Sequence, residues 1–296
     1  QDLLNALDLQ TLGMINRLQK GETELVLKTS PQSYAAETIR MLSNSIQFSR
    51  KDSVIRTLLV TSPSGWEGKS FITANLALAF AKAGLRVVLV DADLRRPRQH
   101  QIFELKQGSG LSEALYSGNI NGRLKSTRIN NLRLMTSGRI TKRPTDRIAS
   151  PQFRMLLEEL KKEADIVLID CPPVLPVADA ILMSPFVDNV LVVIRANRTK
   201  RANAQRAVES LRRVNANLLG AVLNDVPMSD QETSTYYYID KPKKKDIRRL
   251  FSKKKDKVPT PPIQSIIPNQ ESPKTETEPT QEIIRQSETS SNEEKS

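Results

Sequence analysis

The chain contains little sulfur and few aromatic residues. Its single cysteine, Cys171, excludes a disulfide framework within the 296 residues, which is typical of proteins that fold in a reducing cytoplasm. We expect Cys171 to be a small buried residue, and the single histidine, His100, has no partner pattern that suggests a role. No apolar run is long enough to span a bilayer, and no secretory signal is present. The chain itself is therefore expected to be soluble, with one sizeable core.

Charge is distributed unevenly along the chain, whose net charge is +12. Residues 241–257 contain ten Lys or Arg and two Asp, whereas residues 258–296 contain seven Glu and three basic residues. The stretch 241–296 has low complexity and is predicted to be a disordered tail, basic and then acidic. A basic run of this kind contacts nucleic acid or an anionic membrane, or serves only as a solvated spacer.

The segment Ser62–Ser70 ends in Gly-Lys-Ser, a sequence suited to binding phosphate. It follows an apolar stretch, Ile55–Thr61, that predicts a buried strand, and it precedes an Ala-rich stretch, Phe71–Ala83, that predicts a helix. A strand, a turn and a helix N-terminus in this order form a phosphate-binding loop, or P-loop. One position departs from the pattern G-x-x-x-x-G-K-[ST], because Pro63 stands where the first glycine is expected.

In a P-loop, backbone N–H groups surround the phosphates and the helix N-terminus attracts their negative charge. Lys69 would contact the β- and γ-phosphates, and the Ser70 hydroxyl would bind Mg²⁺. The predicted nucleotide-binding residues of the loop are Gly65, Trp66, Glu67, Gly68, Lys69, Ser70 and Phe71.

Two further apolar stretches end in carboxylates. Val87–Val90 is followed by Asp91 and Asp93, whose spacing places both on the same side of a strand end. Ile166–Ile169 is followed by Asp170, which is the arrangement of a Walker B strand that delivers a carboxylate towards Mg²⁺. Ligands bind at the carboxyl ends of strands in open α/β sheets, so these acids and the P-loop are expected at one edge.

Apolar strands and helices alternate through the rest of the domain. This spacing predicts right-handed βαβ units, and therefore an α/β P-loop NTPase fold with a mostly parallel sheet flanked by helices. The further predicted strands are 132–136, 190–194 and 218–223, and the further predicted helices are 31–48, 111–116, 153–163 and 202–215.

Three of the five tyrosines, Tyr236, Tyr237 and Tyr238, follow one another beyond the last predicted strand. A flexible segment does not bury aromatic side chains, so packing gives no reason for this cluster. An acceptor of a phosphoryl group, in contrast, must be able to reach an active site. We interpret the segment 234–240 as a phosphoacceptor cluster.

The P-loop, the segment Asp91–Pro97 (Asp-Ala-Asp-Leu-Arg-Arg-Pro) and the segment Asp170–Pro173 together resemble the bacterial tyrosine kinases, or BY-kinases. These are the cytoplasmic kinase domains of exopolysaccharide co-polymerases. The resemblance extends from about Leu12 to Tyr238. Septum-positioning and plasmid-partition ATPases share the architecture but carry a signature lysine early in the P-loop, where this chain has Ser64.

This resemblance implies an ATP-dependent protein-tyrosine autokinase that uses Mg²⁺. Its implied catalytic residues are Lys69, Asp91 and Asp93, with Asp91 preferred to Asp93 for orienting or deprotonating the tyrosine. Asn224, just past the last predicted strand, matches the position from which relatives contact adenine, although an asparagine there is equally typical of a turn. The implied metal ligands are Ser70, Asp91 and Asp170.

The family also has a Glu-x-x-Arg-x-x-Arg oligomerisation motif in the helix that is predicted to begin at Pro31. Glu37 and Arg40 match its first two charged positions, and Ser43 replaces the last arginine. Taken alone, Glu37 and Arg40 predict an ordinary ion pair within the helix. The resemblance implies a ring-type homo-oligomer in which a neighbouring subunit supplies the acceptor tyrosines.

The predicted domain organisation has a juxtamembrane-type linker at 1–30, the kinase domain at 31–233, the tyrosine cluster at 234–240 and the tail at 241–296. Because the chain opens with Gln1, we expect two hydrophobic segments upstream in the parent protein. The expected location is the cytoplasmic face of the inner membrane, and the expected role is to regulate exopolysaccharide or capsule polymerisation and export. The expected partners are other copies of the chain, a membrane-spanning co-polymerase domain or activator, anionic lipid at 241–257 and a phosphotyrosine phosphatase. Nucleic acid is not expected as a partner.

Two alternatives to an autokinase remain open from the sequence. One is a partition-type ATPase switch, which transfers phosphate to water and would release only free phosphate. The other is a nucleotide-binding scaffold with weak catalysis. Transfer of the γ-phosphoryl group to tyrosine distinguishes a kinase from both.

Overall fold

The structure is a computed structural model and describes residues 7–49, 54–139, 144–149 and 151–227. All of these residues belong to one unit of the chain, which ends at Lys244. The predicted tyrosine cluster, 234–240, and the predicted tail, 241–296, lie outside the described residues.

The described residues contain eight strands: β1 (Thr11–Asn16), β2 (Thr57–Thr61), β3 (Val87–Asp91), β4 (Lys125–Ser126), β5 (Leu132–Met135), β6 (Ile166–Asp170), β7 (Asn189–Arg195) and β8 (Leu218–Val226). They form one sheet in the order β1-β8-β7-β2-β6-β3-β5-β4. Every neighbouring pair is parallel except β4 and β5, which are antiparallel. The strands that end in the P-loop and in the two acidic segments are therefore neighbours at the centre of the sheet.

The helices are α1 (Val26–Thr29), α2 (Tyr34–Phe48), α3 (Lys69–Lys82), α4 (Gln99–Ile102), α5 (Leu111–Ser117), α6 (Pro144–Ile148), α7 (Pro151–Glu163), α8 (Asp179–Met183) and α9 (Arg201–Arg213). A short 3₁₀ helix, Ser184–Phe186, follows α8. Within the described ranges, no helix has the length and apolar character required to cross a membrane.

Each face of the sheet carries its own apolar core. Alternate residues of a strand point to opposite faces, so Leu58 of β2 belongs to one core and Leu59 to the other. Phe80 of α3 is fully buried in the core that contains Leu58. On the opposite face, Phe153 of α7 and Leu211 of α9 pack in the core that contains Leu59. Helices thus cover both faces, as a parallel sheet requires.

The predicted fold class is confirmed, and most predicted elements are present with ends shifted by a few residues. The P-loop helix begins at Lys69, two residues before the predicted start. Helix α2 begins at Tyr34 and not at Pro31, because the Ser33 hydroxyl accepts a hydrogen bond of 3.2 Å from Ala36 N and caps the helix there. Asn224 lies inside β8, whereas the sequence predicted that it would follow the last strand.

Strand β1 was not predicted, and it lies within the segment 1–30 that the sequence suggested as a linker. It pairs in parallel with β8, and Ile15 is fully buried. The backbones approach closely, since a Cβ on Gly220 of β8 would lie 2.5 Å from Gln10 O. The apolar pattern of this short edge strand is interrupted by Gly13 and Asn16, and its partner is about two hundred residues away in the chain.

Candidate active site

The segments that follow β2, β3 and β6 line a cavity of about 540 Å³. Lys69 and Ser70 enter it from the first turn of α3, and Asp93 enters from the loop after β3. The walls combine cations with apolar surface. They include Trp66, Arg95, Arg96, Pro172, Pro173 and Val177.

The P-loop has the backbone conformation that its glycine predicts. Gly68 adopts φ +91°, which favours glycine, and precedes the first residue of α3. A Cβ at Gly68 would lie 2.0 Å from Asn224 Nδ2, so the position has no room for a side chain. Ser62 O accepts a hydrogen bond of 2.9 Å from Val174 N, which braces the loop against the segment after β6. The N-terminus of α3 therefore faces a cavity suited to an anion.

Lys69 is the buried cation at the base of this cavity. Its Nζ donates a hydrogen bond to Asp93 Oδ2 at 2.9 Å, and both side chains are largely buried. Burial lowers the pKa of Lys69, but the carboxylates of Asp170 and Asp93 outweigh it, so the pKa is raised above its ordinary value. Lys69 is accordingly charged at neutral pH and can attract phosphate oxygens.

Asp91 and Asp170 lie side by side at the ends of paired strands and are fully buried. Asp91 Oδ2 accepts hydrogen bonds from Arg98 N and Gln99 N at 3.0 and 2.9 Å. Burial, and then the neighbouring Asp170 carboxylate, raise the pKa of Asp91 well above its usual range. Burial also raises the pKa of Asp170, against the lowering effects of Lys69, Ser70 and Gln99. A cation beside this pair would favour the ionised forms of both acids.

The donor set at this point fits Mg²⁺. Asp91 Oδ1 and Asp170 Oδ1 are buried and have no hydrogen-bond partner. The Ser70 side chain forms a hydrogen bond with the Asp170 carboxylate. Among the described residues, no three or more His, Cys, Asp or Glu side chains are arranged to hold a metal ion alone. Mg²⁺ is commonly held by one or two carboxylates together with phosphate oxygens and water. The predicted ligands Ser70, Asp91 and Asp170 are thus brought together, and they suit an ion that binds with a nucleotide.

Glu67 connects the P-loop to the ends of β7 and β8. Its side chain is buried, and Oε1 accepts a hydrogen bond of 2.8 Å from the Thr199 hydroxyl. Its backbone O accepts a bond of 3.0 Å from Asn224 Nδ2. Burial raises the pKa of Glu67 to about 7, in spite of the hydrogen bond from Thr199 and the charge of Arg195. The loop is thus held on the side opposite to the acidic pair.

Trp66 points away from this network. It is 73% exposed and has φ +66°, and its backbone O accepts a hydrogen bond of 3.0 Å from Arg195 Nη1. Arg195 Nε also pairs with Asp225 Oδ2 at 2.8 Å, and the other oxygen of Asp225 pairs with Arg17 Nε at 2.8 Å. A chain of ion pairs therefore runs from the residue after β1 to the P-loop.

The arginine-rich loop after Asp93 forms the far rim of the cavity. Arg98 Nη2 donates to both carboxylate oxygens of Glu24, at 2.8 and 2.9 Å. Arg95 Nε lies 3.4 Å from Asp179 Oδ2. Arg96 is exposed, and its backbone N–H donates to Asp93 Oδ1 at 2.9 Å. This loop supplies positive charge to the cavity and holds Asp93 in place.

Several residues of the site had no signal in the sequence. Gln99 contacts both acidic strands, and Thr199 and Arg195 contact the P-loop, yet none belongs to a motif. Arg98 and Glu24 also line the cavity. Only the clustering of arginine in residues 95–98 could have indicated the rim.

The residues predicted for oligomerisation lie outside the cavity. Glu37 and Arg40 form an ion pair of 2.5 Å within α2, as their spacing predicts, and both side chains are about half exposed. Arg40 also donates to Pro31 O. The acceptor residues Tyr236, Tyr237 and Tyr238 lie outside the described residues.

Comparison with known proteins places these features in context. The ParA family model, described as NUBPL iron-transfer P-loop NTPase, matches residues 53–293. The putative tyrosine-protein kinase CapB of Staphylococcus aureus is 36% identical over 219 residues, which cover 72% of this chain and 94% of CapB. The tyrosine-protein kinase YwqD of Bacillus subtilis (strain 168) is 32% identical over 223 residues, which cover 75% of this chain and 94% of YwqD.

The solved structures show the same similarity. The crystal structure of the chimerical protein CapA2B2 matches with a TM-score of 0.72 and 36% identity, over 77% of this chain and 99% of that chain. Sequence and fold therefore agree on one group of relatives.

Proposed function

The chain belongs to the bacterial tyrosine-protein kinases, and from its site we propose that it transfers the γ-phosphoryl group of ATP to its own tyrosines, Tyr236, Tyr237 and Tyr238. The observation that carries the proposal is the meeting of Lys69, Asp93, Asp91 and Asp170 at one edge of the sheet. This arrangement combines a phosphate-binding cation, a carboxylate in the cavity and a buried acidic pair suited to a metal ion.

Lys69 and the first turn of α3 bind the β- and γ-phosphates in this proposal. The ammonium group exchanges its Asp93 partner, at 2.9 Å, for phosphate oxygens, while the loop N–H groups supply further donors. Phosphoryl transfer depends mainly on positioning and on neutralising charge, so these contacts account for much of the expected rate.

The metal site is formed by Ser70, Asp91 and Asp170. When bound there, Mg²⁺ neutralises negative charge on the phosphate oxygens and on the leaving group. Asp170 and the Ser70 hydroxyl hold the ion next to the P-loop, and Asp91 lies beside Asp170 on the adjacent strand. The unpaired oxygens of Asp91 and Asp170 support this assignment.

We assign the orientation of the tyrosine to Asp93 and not to Asp91, which reverses the order expected from the sequence. Asp93 lines the cavity, whereas Asp91 is fully buried and accepts two backbone hydrogen bonds. Once Lys69 turns to phosphate, Asp93 Oδ2 is free to accept the phenolic proton. The phenolic oxygen forms its bond to the γ-phosphorus as the bond from that phosphorus to the leaving ADP oxygen breaks. Tyrosine has a pKa near ~10, so it requires such an acceptor.

The direct test is to incubate the purified chain with Mg-ATP labelled in the γ-phosphate and to map phosphotyrosine by mass spectrometry. We expect label on Tyr236, Tyr237 or Tyr238. A partition-type switch would instead release labelled inorganic phosphate and leave the protein unlabelled. That result would overturn the autokinase proposal and favour the switch.

We further propose that the kinase regulates exopolysaccharide or capsule polymerisation and export, as a ring of copies at the cytoplasmic face of the inner membrane. The similarity to CapB and to the chimerical protein CapA2B2 supports this role. Glu37 and Arg40 present an exposed charged surface on α2 for contact between copies. A kinase domain that includes β1 and ends at 233, the tyrosine cluster at 234–240, the contact of 241–257 with anionic lipid, a membrane-spanning activator and an opposing phosphatase belong to the same proposal.

A further inference from the structure

We propose that Gln99 is a positioning residue of the metal site, which holds Asp170 and Asp91 in the arrangement that Mg²⁺ requires. The proposal rests on the proposed function above. Gln99 is fully buried at the first position of α4 and belongs to neither the P-loop nor the acidic strand ends. It nevertheless contacts the P-loop helix and both acidic strand ends.

The side-chain amide of Gln99 joins the P-loop helix to the Walker B strand. Nε2 donates a hydrogen bond of 2.7 Å to Asp170 Oδ2 and one of 3.1 Å to Ser70 O. The Ser70 carbonyl oxygen can only accept, and so can the Asp170 carboxylate when it is ionised, so the amide nitrogen faces both of them. Two elements that provide metal ligands are thereby tied to one rigid group.

The backbone of Gln99 ties in the third element. Its N–H donates to Asp91 Oδ2 at 2.9 Å, next to the bond from Arg98 N. Gln99 therefore occupies one oxygen of each buried acid and leaves Oδ1 of Asp91 and Oδ1 of Asp170 without a hydrogen-bond partner. Those two free oxygens belong to carboxylates on directly paired residues of β3 and β6.

The side-chain oxygen of Gln99 is a further buried acceptor at this site. Gln99 Oε1 is buried and has no hydrogen-bond partner among the described residues. A buried amide oxygen rarely stays unpaired, so this atom points to a ligand at the same place. A water molecule of a hydrated Mg²⁺ is a donor of the right kind, since Mg²⁺ keeps several waters when it binds proteins. A residue that holds a metal ligand by a hydrogen bond typically raises the affinity for the metal by roughly 10–100-fold.

The experiment measures the affinity for ADP at increasing MgCl₂ and, separately, in EDTA. The variants are Gln99→Leu, which removes the donor, and Gln99→Glu, which keeps the shape of the side chain and replaces the amide NH₂ by a carboxyl oxygen. Gln101→Leu and Gln101→Glu are the matched controls, because Gln101 is exposed on the same helix. We expect both Gln99 variants to need about 10–100-fold more MgCl₂ for half of the Mg²⁺ effect. ADP affinity in EDTA should stay unchanged, and both controls should match the wild type.

A role of Gln99 in packing alone predicts a different result. It would weaken ADP binding equally with and without MgCl₂, and it would leave the Mg²⁺ midpoint of Gln99→Glu at the wild-type value; either outcome would overturn the proposal. If Gln99→Leu does not fold, the near-isosteric Gln99→Glu decides the question. Since the measurement needs no phosphotyrosine, a wild type that binds Mg-ADP but does not phosphorylate itself would reject the kinase proposal alone.

Discussion

At the scale of single residues, four buried oxygen atoms without hydrogen-bond partners belong to the candidate site. Within the described ranges, Asp91, Asp170, Gln99 and Glu67 each keep one buried side-chain oxygen without a hydrogen bond. Folded proteins seldom leave such atoms unpaired, because each costs about 1–3 kcal/mol. Binding of a nucleotide and a cation at this site would offset that cost.

Replacing Lys69 by Met tests the phosphate-binding cation. The change removes the charge that the proposal places on the β- and γ-phosphates, so we expect at least a roughly 100-fold loss of phosphotyrosine formation. Asp93 is then buried without its partner at 2.9 Å, and the variant should also unfold at a lower urea concentration. Lys82→Met, at the other end of α3, is the control and should retain phosphotyrosine. Unchanged autophosphorylation in Lys69→Met would exclude this P-loop from the mechanism.

Replacing Glu67 by Gln tests the buried acid of the P-loop. Burial raises the pKa of Glu67 from an ordinary 4.5 to about 7. Between these two pH values, Glu67 is protonated in the folded protein and ionised in the unfolded chain. The contribution of Glu67 to the free energy of unfolding should therefore be fully present below pH ~4.5 and should be lost as the pH rises through about 7. Gln cannot lose a proton, and Glu67→Gln should lack this part of the pH dependence.

The measurement for Glu67 is urea unfolding of both proteins from pH 5 to pH 8. The difference between them should grow towards high pH, by no more than about 3 kcal/mol, because a change of one pKa unit corresponds to about 1.4 kcal/mol. The other buried acids titrate in both proteins and cancel in the comparison. Parallel curves for the two proteins would show that Glu67 is ionised throughout this range.

At the scale of secondary structure, the elements that position the site come from distant parts of the chain. Strand β8 brings Asn224 to the P-loop backbone, and the residue after β1, Arg17, pairs with Asp225 at the end of the same strand. Arg195, at the end of β7, pairs with Asp225 and also contacts the backbone of Trp66. The edge strand β1 is therefore connected to the nucleotide loop through ion pairs and not only through the sheet.

Replacing Ile15 by Ala tests whether β1 is an integral strand of the domain. Ile15 is fully buried in the core that also contains Phe80, so the truncation should lower the free energy of unfolding by about 2–5 kcal/mol. Met14→Ala, on the same strand at a half-buried position, is the control and should cost clearly less. Urea unfolding compares the two variants. Equal, small losses would indicate that β1 detaches without affecting the core.

At the scale of the whole molecule, the chain separates its nucleotide site from its proposed acceptors. The site lies at the centre of the sheet, on β2, β3 and β6, whereas Tyr236, Tyr237 and Tyr238 come after the last strand and outside the described residues. In the proposed function, this separation along the sequence allows one copy to present its tyrosines to the cavity of another. It also allows the two functions to be altered independently.

Replacing Tyr236, Tyr237 and Tyr238 together by Phe tests that independence. We expect most phosphate incorporation to disappear, because the hydroxyl acceptors are gone. The affinity for ADP should not change, since the proposed nucleotide-binding residues lie in the sheet and the P-loop. Tyr116→Phe is the control, because Tyr116 is an exposed tyrosine outside the cluster. Unchanged total incorporation in the triple variant would show that the cluster is incidental.

The sequence alone determined those parts of the candidate site whose residues are adjacent in the chain. Gly68, Lys69 and Ser70 adjoin one another, and each acidic segment directly follows its own apolar strand, so neighbouring residues were sufficient to identify them. The central strands were also predictable, because a strand that is buried on both faces is apolar throughout.

Only the tertiary structure decided how those parts meet. Gln99 and Asp170 are 71 residues apart, and Glu67 and Thr199 are 132 residues apart, so no local pattern could indicate either hydrogen bond. The proposed assignment of Asp93 and not Asp91 to the tyrosine also rests on the tertiary structure, because both residues are buried and only Asp93 lines the cavity. Strand β1 was missed for the same physical reason: its stability comes from pairing with β8 and from packing, and not from its own short sequence.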